Sequence, residues 1–184
     1  MKKIVVVISG PPGSGSSTVG KRLARRMGLK FFSVGTYYKK FSNEKNQSKA
    51  AFELWKTKFG SSEKLHNYMD KVLQKDMARK GNIVIDAKLG IHFLKNYSKF
   101  KIWLDVPLKI RGERAAKRDK APVEQSLKQI LDREEIQKRE WQRMYGFDYL
   151  NQKYGADLVV DSSKMTVTQT VNKIFDFIRS RRNK

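Results

Sequence analysis

The chain has 184 residues, a length that supports one compact domain around a single hydrophobic core. It contains no cysteine, which excludes disulfides and any metal or redox centre built from thiolates. No apolar run approaches the roughly 20 residues of a membrane helix, so we expect no membrane association. We also expect a monomer that acts in the cytoplasm.

The composition is strongly basic: 40 Lys and Arg residues stand against 18 Asp and Glu residues, a net charge of +22. Such a charge fits either a polyanionic partner such as RNA or DNA, or an enzyme whose substrates carry several phosphates. The basic residues are spread along the chain, and the sequence has no aromatic-rich RNA-binding motif. The sequence therefore predicts weak, salt-sensitive binding to nucleic acid and disfavours specific recognition.

Short β-branched runs alternate with longer helical segments, the pattern of an α/β domain with a parallel sheet. The first run is apolar throughout, as expected of a strand that is covered on both faces. The sequence thus predicts a five-stranded parallel sheet flanked by helices. The predicted strands lie at 4–8, 30–34, 83–85, 102–106 and 158–160, and the predicted helices at 18–27, 109–118, 123–145 and 167–179.

A long polar region with a helical pattern, 36–79, separates the second predicted strand from the third. Within it, Leu65, Met69, Val72 and Leu73 follow the helical period. We expect these four side chains to share one buried helix face.

A glycine-rich segment follows the first predicted strand and precedes the first predicted helix, the position of the phosphate-binding loop of P-loop NTPases. Glycines let the backbone curl so that successive N–H groups face phosphate oxygens, and the positive end of the helix adds to the field. Ser17 occupies the place of the hydroxyl that holds Mg²⁺, so we expect ATP and Mg²⁺ as ligands. The predicted nucleotide-binding residues are Gly10, Pro11, Pro12, Gly13, Ser14, Gly15, Ser16, Ser17 and Thr18.

The loop departs from the P-loop pattern at one position, because Ser16 stands where the motif has lysine. That lysine ordinarily reaches the β- and γ-phosphates and offsets charge during phosphoryl transfer. Two interpretations remain open. Either a cation from elsewhere takes its place, with Lys88 or an arginine of 109–118 as candidates, or the protein is a weakly active or inactive P-loop protein that binds nucleotide and acts with nucleic acid.

Several blocks of the sequence resemble the archaeal-type cytidylate kinases, within the wider nucleoside monophosphate kinase family. The opening 8–15 and the segment 32–35 are similar to theirs, and the most specific similarity comes late in the chain. The resemblance implies a P-loop kinase fold and ATP-dependent phosphorylation of CMP, and of dCMP, to the diphosphate. The late blocks are Arg133-Glu134-Glu135, Arg139, Met144-Tyr145-Gly146-Phe147-Asp148 and Asp157-Leu158-Val159-Val160-Asp161-Ser162-Ser163.

The resemblance also implies how the chain is organised. One kinase domain would carry a P-loop core, a helical region that binds the acceptor, and a short lid that continues into a long helix. The corresponding ranges are 1–184 for the domain, about 1–35, 80–117 and 146–184 for the core, 36–79 for the acceptor-binding region and 118–145 for the lid and long helix.

Arginines in the second half of the chain are the candidate catalytic residues. Arg111, Arg114 and Arg118 are spaced i, i+3 and i+7, which places them on one helix face. In the resembling kinases this region opens the lid, which implies that Arg114 and Arg118 reach the transferring phosphate. Arg133 and Arg139 match arginines that the family directs at the site. Salt bridges within the long helix are the alternative for these two.

Acceptor binding is implied for three residues. Lys39 and Lys88 occupy slots where the family usually has arginine, and lysine keeps the charge but loses bidentate geometry on phosphate. Asp70 falls near an acidic position of the family that is associated with acceptor recognition. Asp86 and Asp105 each end a predicted strand at the edge of the sheet where ligands bind, so either could steer Mg²⁺ through water.

Overall fold

The computed structural model describes residues 3–182, so residues 1, 2, 183 and 184 of the predicted domain lie outside the described part. The strands are β1 (Val5–Ser9), β2 (Lys30–Ser33), β3 (Ile83–Asp86), β4 (Phe100–Asp105) and β5 (Leu158–Asp161). They form one sheet in the order β2-β3-β1-β4-β5, in which every neighbouring pair is parallel. The predicted five-stranded parallel sheet is confirmed.

Helices connect the strands and cover both faces of the sheet. None of the helices in residues 3–182 combines the length and the apolar character that a membrane crossing requires. The helices are α1 (Ser16–Met27), α2 (Val34–Lys39), α3 (Gln47–Trp55), α4 (Glu63–Asn67), a π-helical turn (Tyr68–Leu73), α5 (Gln74–Lys80), α6 (Gly90–Phe93), α7 (Leu108–Asp119), α8 (Val123–Tyr145), a 3-10 helix (Tyr149–Gly155) and α9 (Val167–Arg182).

The core has two parts because successive side chains of β1 point to opposite faces of the sheet. Val5 and Val7 belong to the cluster that the helices between β2 and β3 and helix α8 cover, with Trp55 among its buried members. Val6 and Ile8 belong to the cluster beneath α1 and α9. Burial on both faces explains why the first predicted strand reads as an uninterrupted apolar run.

One helix prediction is wrong in detail. Leu65 and Met69 are buried as expected, but Val72 is 47% exposed and Leu73 is only half-buried. The reason is the π-helical turn Tyr68–Leu73, whose wider i→i+5 hydrogen bonding changes the angular period that the four residues were expected to follow. The turn leaves Asp70 buried at 5% exposure.

Parallel strands place all their carboxyl ends at one edge of the sheet. The loop that follows β1 and the ends of β2 and β3 therefore meet at the N-terminus of α1. Helices α7 and α8, which a three-residue turn at 120–122 joins, pack against each other beside this edge. The fold thus brings the glycine loop, Asp86 and the helices that carry the candidate arginines to one place.

Candidate active site

The glycine loop closes tightly onto the start of α1. Gly13 and Gly15 have φ values of 81° and 90°, a left-handed conformation that glycine adopts without steric cost. Gly10 allows a close approach, since a Cβ there would lie 2.7 Å from the carbonyl oxygen of Leu104. Helix α1 has no side-chain cap, which leaves its first N–H groups available to an anion.

A cavity of about 410 Å³ lies in front of this loop, and we call it the donor cavity. Residues 12–18 line it, whereas Gly10 and Pro11 are buried behind the loop. Most of the cationic residues that the sequence singled out also reach the cavity from elements distant in sequence. They are Lys39, Lys88, Arg114, Arg118 and Arg133.

A hydroxyl–carboxylate pair stands at the start of α1. Asp86, buried at the end of β3, accepts hydrogen bonds from the Oγ of Ser17 and, at 2.7 Å, from the Oγ of Ser33. Asp105 is exposed and does not line the donor cavity. Among residues 3–182 no group of three or more His, Cys, Asp or Glu side chains surrounds a metal position. A serine hydroxyl and one carboxylate fit Mg²⁺, which in nucleotide sites takes its other ligands from phosphates and water.

Lys88 lies against the back of the glycine loop. Its Nζ donates a hydrogen bond to the carbonyl oxygen of Gly10, 78 residues away in the chain. Burial, reinforced by the charge of Arg133, lowers the pKa of Lys88 to about 7. Its backbone is fixed as well, because the Nε2 of Gln152 donates to its carbonyl oxygen over 2.9 Å. The loop that has Ser16 in place of lysine therefore has another amino group beside it, that of Lys88, which follows β3 in the chain.

Lys39, the last residue of α2, reaches into the donor cavity. Burial, together with the neighbouring charges of Arg133 and Arg118, lowers the pKa of Lys39 to about 8. Burial is the largest cause, and the part that comes from the two arginines reflects an electropositive cavity, since each cation disfavours the charged form of the next. Such a cavity favours phosphate groups, which relieve the repulsion.

The three arginines of α7 lie on one side of the helix but make different contacts. Arg111 is buried, and its Nη1 donates to the Pro12 carbonyl at 3.0 Å and to the Glu134 carboxylate at 2.5 Å. Arg114 donates from Nη1 to the Ser14 carbonyl at 3.3 Å. Arg111 and Arg114 thus brace the loop.

Arg118, in the last turn of α7, has an exposed side chain (49%) and lines the donor cavity. Its Nη2 donates to the Oγ of Ser48 in α3 at 2.7 Å, and Ser48 in turn donates to Asp119 at 2.7 Å. This link ties the C-terminal end of α7 to α3. The Arg118 guanidinium lies where it can turn toward a phosphate in the donor cavity.

The arginines of α8 differ in position, because one lies at the donor cavity and two lie on the surface. Arg133 is half-buried and lines the donor cavity, and desolvation lowers its pKa. Arg139 is 72% exposed and pairs with Glu140 at 3.1 Å, so the expectation that it points at the site does not fit the structure. Six residues advance a helix by about 600°, so the side chains of Arg133 and Arg139 point about 120° apart around the helix axis. Arg143 is also on the surface and bonds to Glu140 at 3.1 Å.

A second, smaller cavity of about 40 Å³, the acceptor cavity, lies between α2, α4, the π-helical turn and α8. Aromatic rings form much of its wall: the rings of Trp55 and His66 stack with centroids 4.3 Å apart, and Trp141 meets Trp55 edge-on at 5.6 Å. The buried Asp70 carboxylate also lines it and accepts a hydrogen bond from the Tyr145 hydroxyl at 3.1 Å.

Sequence reasoning missed the aromatic members of this wall. Among them are Trp55, His66 and Trp141. Gln137 was missed too: its amide oxygen, in the orientation that satisfies its neighbours, accepts from the Nε of Arg133 at 3.1 Å and the Nε1 of Trp55 at 3.2 Å. The available signal was Gln137 itself, a polar residue at i+4 from Arg133 on the inner face of α8.

The two cavities share a wall. Gly35, Lys88 and Arg133 line both of them. A phosphate bound at the glycine loop and a phosphate extending from the acceptor cavity would therefore meet at the same two cations. This is the arrangement that direct transfer between two phosphates needs, because the reacting groups must approach within about 3–3.5 Å.

Solved structures with a similar fold are known. The shikimate kinase from Acinetobacter baumannii in complex with shikimate matches with a TM-score of 0.67 and 16% identity, over 100% of this chain and 97% of that chain. The shikimate kinase from Bacteroides thetaiotaomicron matches with a TM-score of 0.63 and 15% identity, over 97% of this chain and 99% of that chain. At such identities the likeness shows the P-loop kinase fold alone.

Sequence comparison is more specific. The model of the cytidylate kinase-like family matches residues 5–164. The cytidylate kinase of Ignicoccus hospitalis is 38% identical over 173 residues, which cover 92% of this chain and 98% of that protein. The cytidylate kinase of Pyrococcus horikoshii is 33% identical over 165 residues, covering 88% and 81%. The chain therefore belongs to the cytidylate kinase-like family, and the sequence prediction of a nucleoside monophosphate kinase is confirmed.

Proposed function

We propose that this kinase transfers the γ-phosphoryl group of ATP to CMP, with dCMP as a second acceptor, and that it requires Mg²⁺. One observation carries the proposal: the donor and acceptor cavities share a wall that presents Lys88 and Arg133 to both. The relatives named as cytidylate kinases support a cytosine nucleotide as the acceptor.

On the donor side, the β- and γ-phosphates of ATP would accept hydrogen bonds from the backbone N–H groups of Gly13 and of 15–18. Ser17 and Asp86 would hold Mg²⁺ through a hydroxyl oxygen and a carboxylate oxygen, directly or through water. When bound, the ion neutralises part of the charge on the transferring phosphate. Binding would replace the hydrogen bond that Ser17 now gives to Asp86.

Lys88 would supply the charge that the loop itself lacks. Its amino group needs only to leave the Gly10 carbonyl to reach the phosphate side of the loop. A phosphate is a far better partner for an ammonium than a carbonyl is, so contact with ATP favours the protonated form. Ser16 is small and buried, at 7% exposure, so its own side chain carries no charge to the phosphates. Arg118, which is exposed and near the cavity, remains the second candidate.

On the acceptor side, the base would enter the aromatic cavity and the phosphate would face Lys39 and Arg133. A ring stacked against Trp55 and His66 would gain dispersion and desolvation energy. The Asp70 carboxylate accepts hydrogen bonds, and the exocyclic amino group of cytosine donates them. Uracil presents a carbonyl at that position, so Asp70 would favour CMP over UMP.

The chemical step would need no covalent enzyme intermediate. An oxygen of the CMP phosphate would attack the γ-phosphorus, the bond from that phosphorus to the β,γ-bridging oxygen would break, and ADP would leave with the electron pair. Negative charge grows on the oxygens between the two cavities, where Arg133, Lys88 and the lid arginine Arg118 present positive charge. Closure of the lid would exclude water from the γ-phosphate.

A coupled assay across acceptors tests the proposal. With ATP and Mg²⁺ in excess, CMP should give the highest kcat/KM, followed by dCMP and then UMP, and omission of Mg²⁺ should abolish turnover. Turnover with AMP alone, or with a non-nucleotide acceptor such as shikimate alone, would show that the assignment of the acceptor is wrong. ATP binding without any turnover would instead support the rival hypothesis that the altered loop binds nucleotide and no longer transfers phosphate.

A further inference from the structure

Helices α1 and α9 concentrate positive charge at a site that the kinase chemistry does not use. Together they carry eight basic residues and one acidic residue, Asp176. The helices pack side by side on the face of the sheet opposite the acceptor cavity. We call this surface the basic face. Its eight cations, all exposed, are Lys21, Arg22, Arg25, Arg26, Lys173, Arg179, Arg181 and Arg182.

Intramolecular ion pairs account for little of this charge. Among residues 3–182, Arg179 is the member of the basic face that has a carboxylate within ion-pair distance, Asp176 at 3.7 Å. Elsewhere among residues 3–182 some basic side chains are paired, as Lys138 is with Asp148 at 3.0 Å. Cations in the last turn of a helix do gain from the helix dipole. That explanation does not cover Lys21 and Arg22, which lie in the middle of α1.

Two of these guanidinium groups lie over aromatic rings. The Arg26 guanidinium lies 4.2 Å from the centroid of Phe175, and the Arg181 guanidinium lies 4.9 Å from that of Phe177. A further aromatic ring adjoins these two: the ring centroid of Phe100, at the start of β4, lies 6.4 Å from that of Phe177. Stacking orders an arginine while its N–H groups still point outward, which lowers the entropy cost of binding an anion.

The basic face is separate from the donor cavity. Helix α1 begins at the glycine loop and runs toward the opposite edge of the sheet, so its last turn lies about 15 Å from the loop at 1.5 Å per residue. Arg25 and Arg26 stand in that last turn, and Arg179, Arg181 and Arg182 stand in the last turn of α9. An anion bound there would leave the nucleotide site open.

We propose that the basic face binds the phosphate backbone of a nucleic acid, without recognition of sequence. A row of ordered arginines spread over two helices matches a linear polyanion better than a single small anion. A lipid surface fits less well, because no large hydrophobic side chain of α1 or α9 is exposed among residues 3–182. The proposal accounts for a large share of the net charge of +22, which phosphoryl transfer leaves unexplained.

Fluorescence anisotropy with a labelled 20-nucleotide oligo(dT) strand tests this directly. The face variant is Lys21→Gln, Arg25→Gln, Arg181→Gln and Arg182→Gln, which removes four positive charges from exposed positions. The matched control removes four exposed lysines from other surfaces: Lys45→Gln, Lys58→Gln, Lys64→Gln and Lys128→Gln. Thermal unfolding shows that both variants are folded, and CMP phosphorylation is expected to be unchanged in the face variant.

At 100 mM salt we expect the face variant to bind at least tenfold more weakly than the parent, and the control less than threefold more weakly. The plot of log K against log salt concentration should lose about 3 units of slope in the face variant, at about 0.7 per phosphate contact on a single strand. Equal losses in the two variants would show that net charge alone drives binding and would overturn the proposal. Absence of binding by the parent at 50 mM salt, or binding to phosphatidylserine vesicles but not to oligo(dT), would overturn it as well.

Discussion

The donor cavity and the acceptor cavity are built in different ways. The phosphate-binding part of the donor cavity is one contiguous loop, in which backbone N–H groups and the left-handed residues Gly13 and Gly15 provide the geometry. Side chains from α2, α3, α4, the π-helical turn and α8 make the acceptor cavity, with Trp55 and Trp141 among them. A site made of backbone keeps its shape when a side chain is exchanged, whereas a site made of side chains depends on each of them.

This difference explains how the loop can lack its lysine. The glycine loop keeps the backbone geometry that phosphate binding requires, and the positive charge comes from other elements of the donor cavity. Lys88 and Arg133 belong to the wall that both cavities share, so each of them acts on the donor and the acceptor at once. Loss of one of these two cations should therefore be more harmful than loss of any side chain within the loop.

The largest effect is expected at Arg133. Arg133→Met should lower kcat/KM for CMP by roughly 10²–10³, the cost of removing one well-placed charge from a transition state. Arg139→Met is the matched control on the same helix, and it should change kcat/KM less than twofold because its side chain is 72% exposed. Steady-state assays of the two variants measure the difference. Equal losses would contradict the position that the structure gives to Arg139.

A double-mutant cycle tests the replacement of the loop lysine. Lys88→Met should lower kcat roughly 100-fold, an effect of the size seen when one charge-stabilising group is removed. Ser16→Lys should bind ATP at least as tightly as the parent, and Lys88→Met should harm the Ser16→Lys protein much less than the parent. Such non-additivity measures the coupling between the two positions. Strictly additive losses would mean that Lys88 does not take the place of the missing lysine, and the same cycle with Arg118→Ala then tests the lid.

Loss of the single Asp70 carboxylate should weaken the binding of CMP in the acceptor cavity. Asp70→Asn should raise KM for CMP about tenfold or more, since one good hydrogen-bonded base contact contributes about 1–3 kcal/mol. KM for ATP should stay the same, and the preference for CMP over UMP should shrink. Asp76→Asn, on the exposed end of the same helical region, is the control. A rise in KM for ATP that matches the rise for CMP would place Asp70 outside the acceptor cavity.

Two glycine variants separate backbone strain from contact in the donor loop. Gly13→Ala would place a Cβ 3.0 Å from the Cβ of Arg111 at a φ of +81°, whereas Gly15→Ala meets no atom within 4 Å at a φ of +90°. Both should weaken ATP binding through strain of about 1–2 kcal/mol, and Gly13→Ala should be the weaker binder. Calorimetric titration with ATP measures both, and Ser16→Ala, which leaves the backbone unchanged, should bind nearly as the parent does. Identical affinities for all three variants and the parent would show that ATP does not bind on the loop backbone.

The smallest expected effect is the uptake of protons when ATP binds. The pKa of Lys88 is about 7 before nucleotide binds, and a phosphate partner raises it. At pH 8 the binding of ATP should therefore take up a fraction of a proton, and affinity should fall as pH rises above 7, because the neutral amine must first be protonated. Calorimetry in two buffers of different ionisation enthalpy counts the protons. Lys88→Met should abolish the uptake at Lys88, and an unchanged proton count in that variant would assign the uptake to another group.

The sequence alone was sufficient for the features that depend on local patterns. The five strands were predicted within two residues at each end, because continuous β-branched runs are what a sheet covered on both faces requires. The glycine loop and its missing lysine were visible because the motif lies in one stretch of chain. The helix that carries Arg111, Arg114 and Arg118 and the long helix 123–145 were likewise predicted at the correct places along the chain.

Tertiary structure decided which side chains meet. No local pattern indicates that Lys88 touches Gly10, or that Trp55, His66 and Trp141 line one cavity, because these contacts depend on how helices pack across the sheet. The division between Arg133 and Arg139 depends on the rotation of α8 about its axis, which its packing against α7 and α3 sets. Sequence periodicity fixes the angle between two residues of a helix, but only the packed structure fixes which of the two residues faces the site.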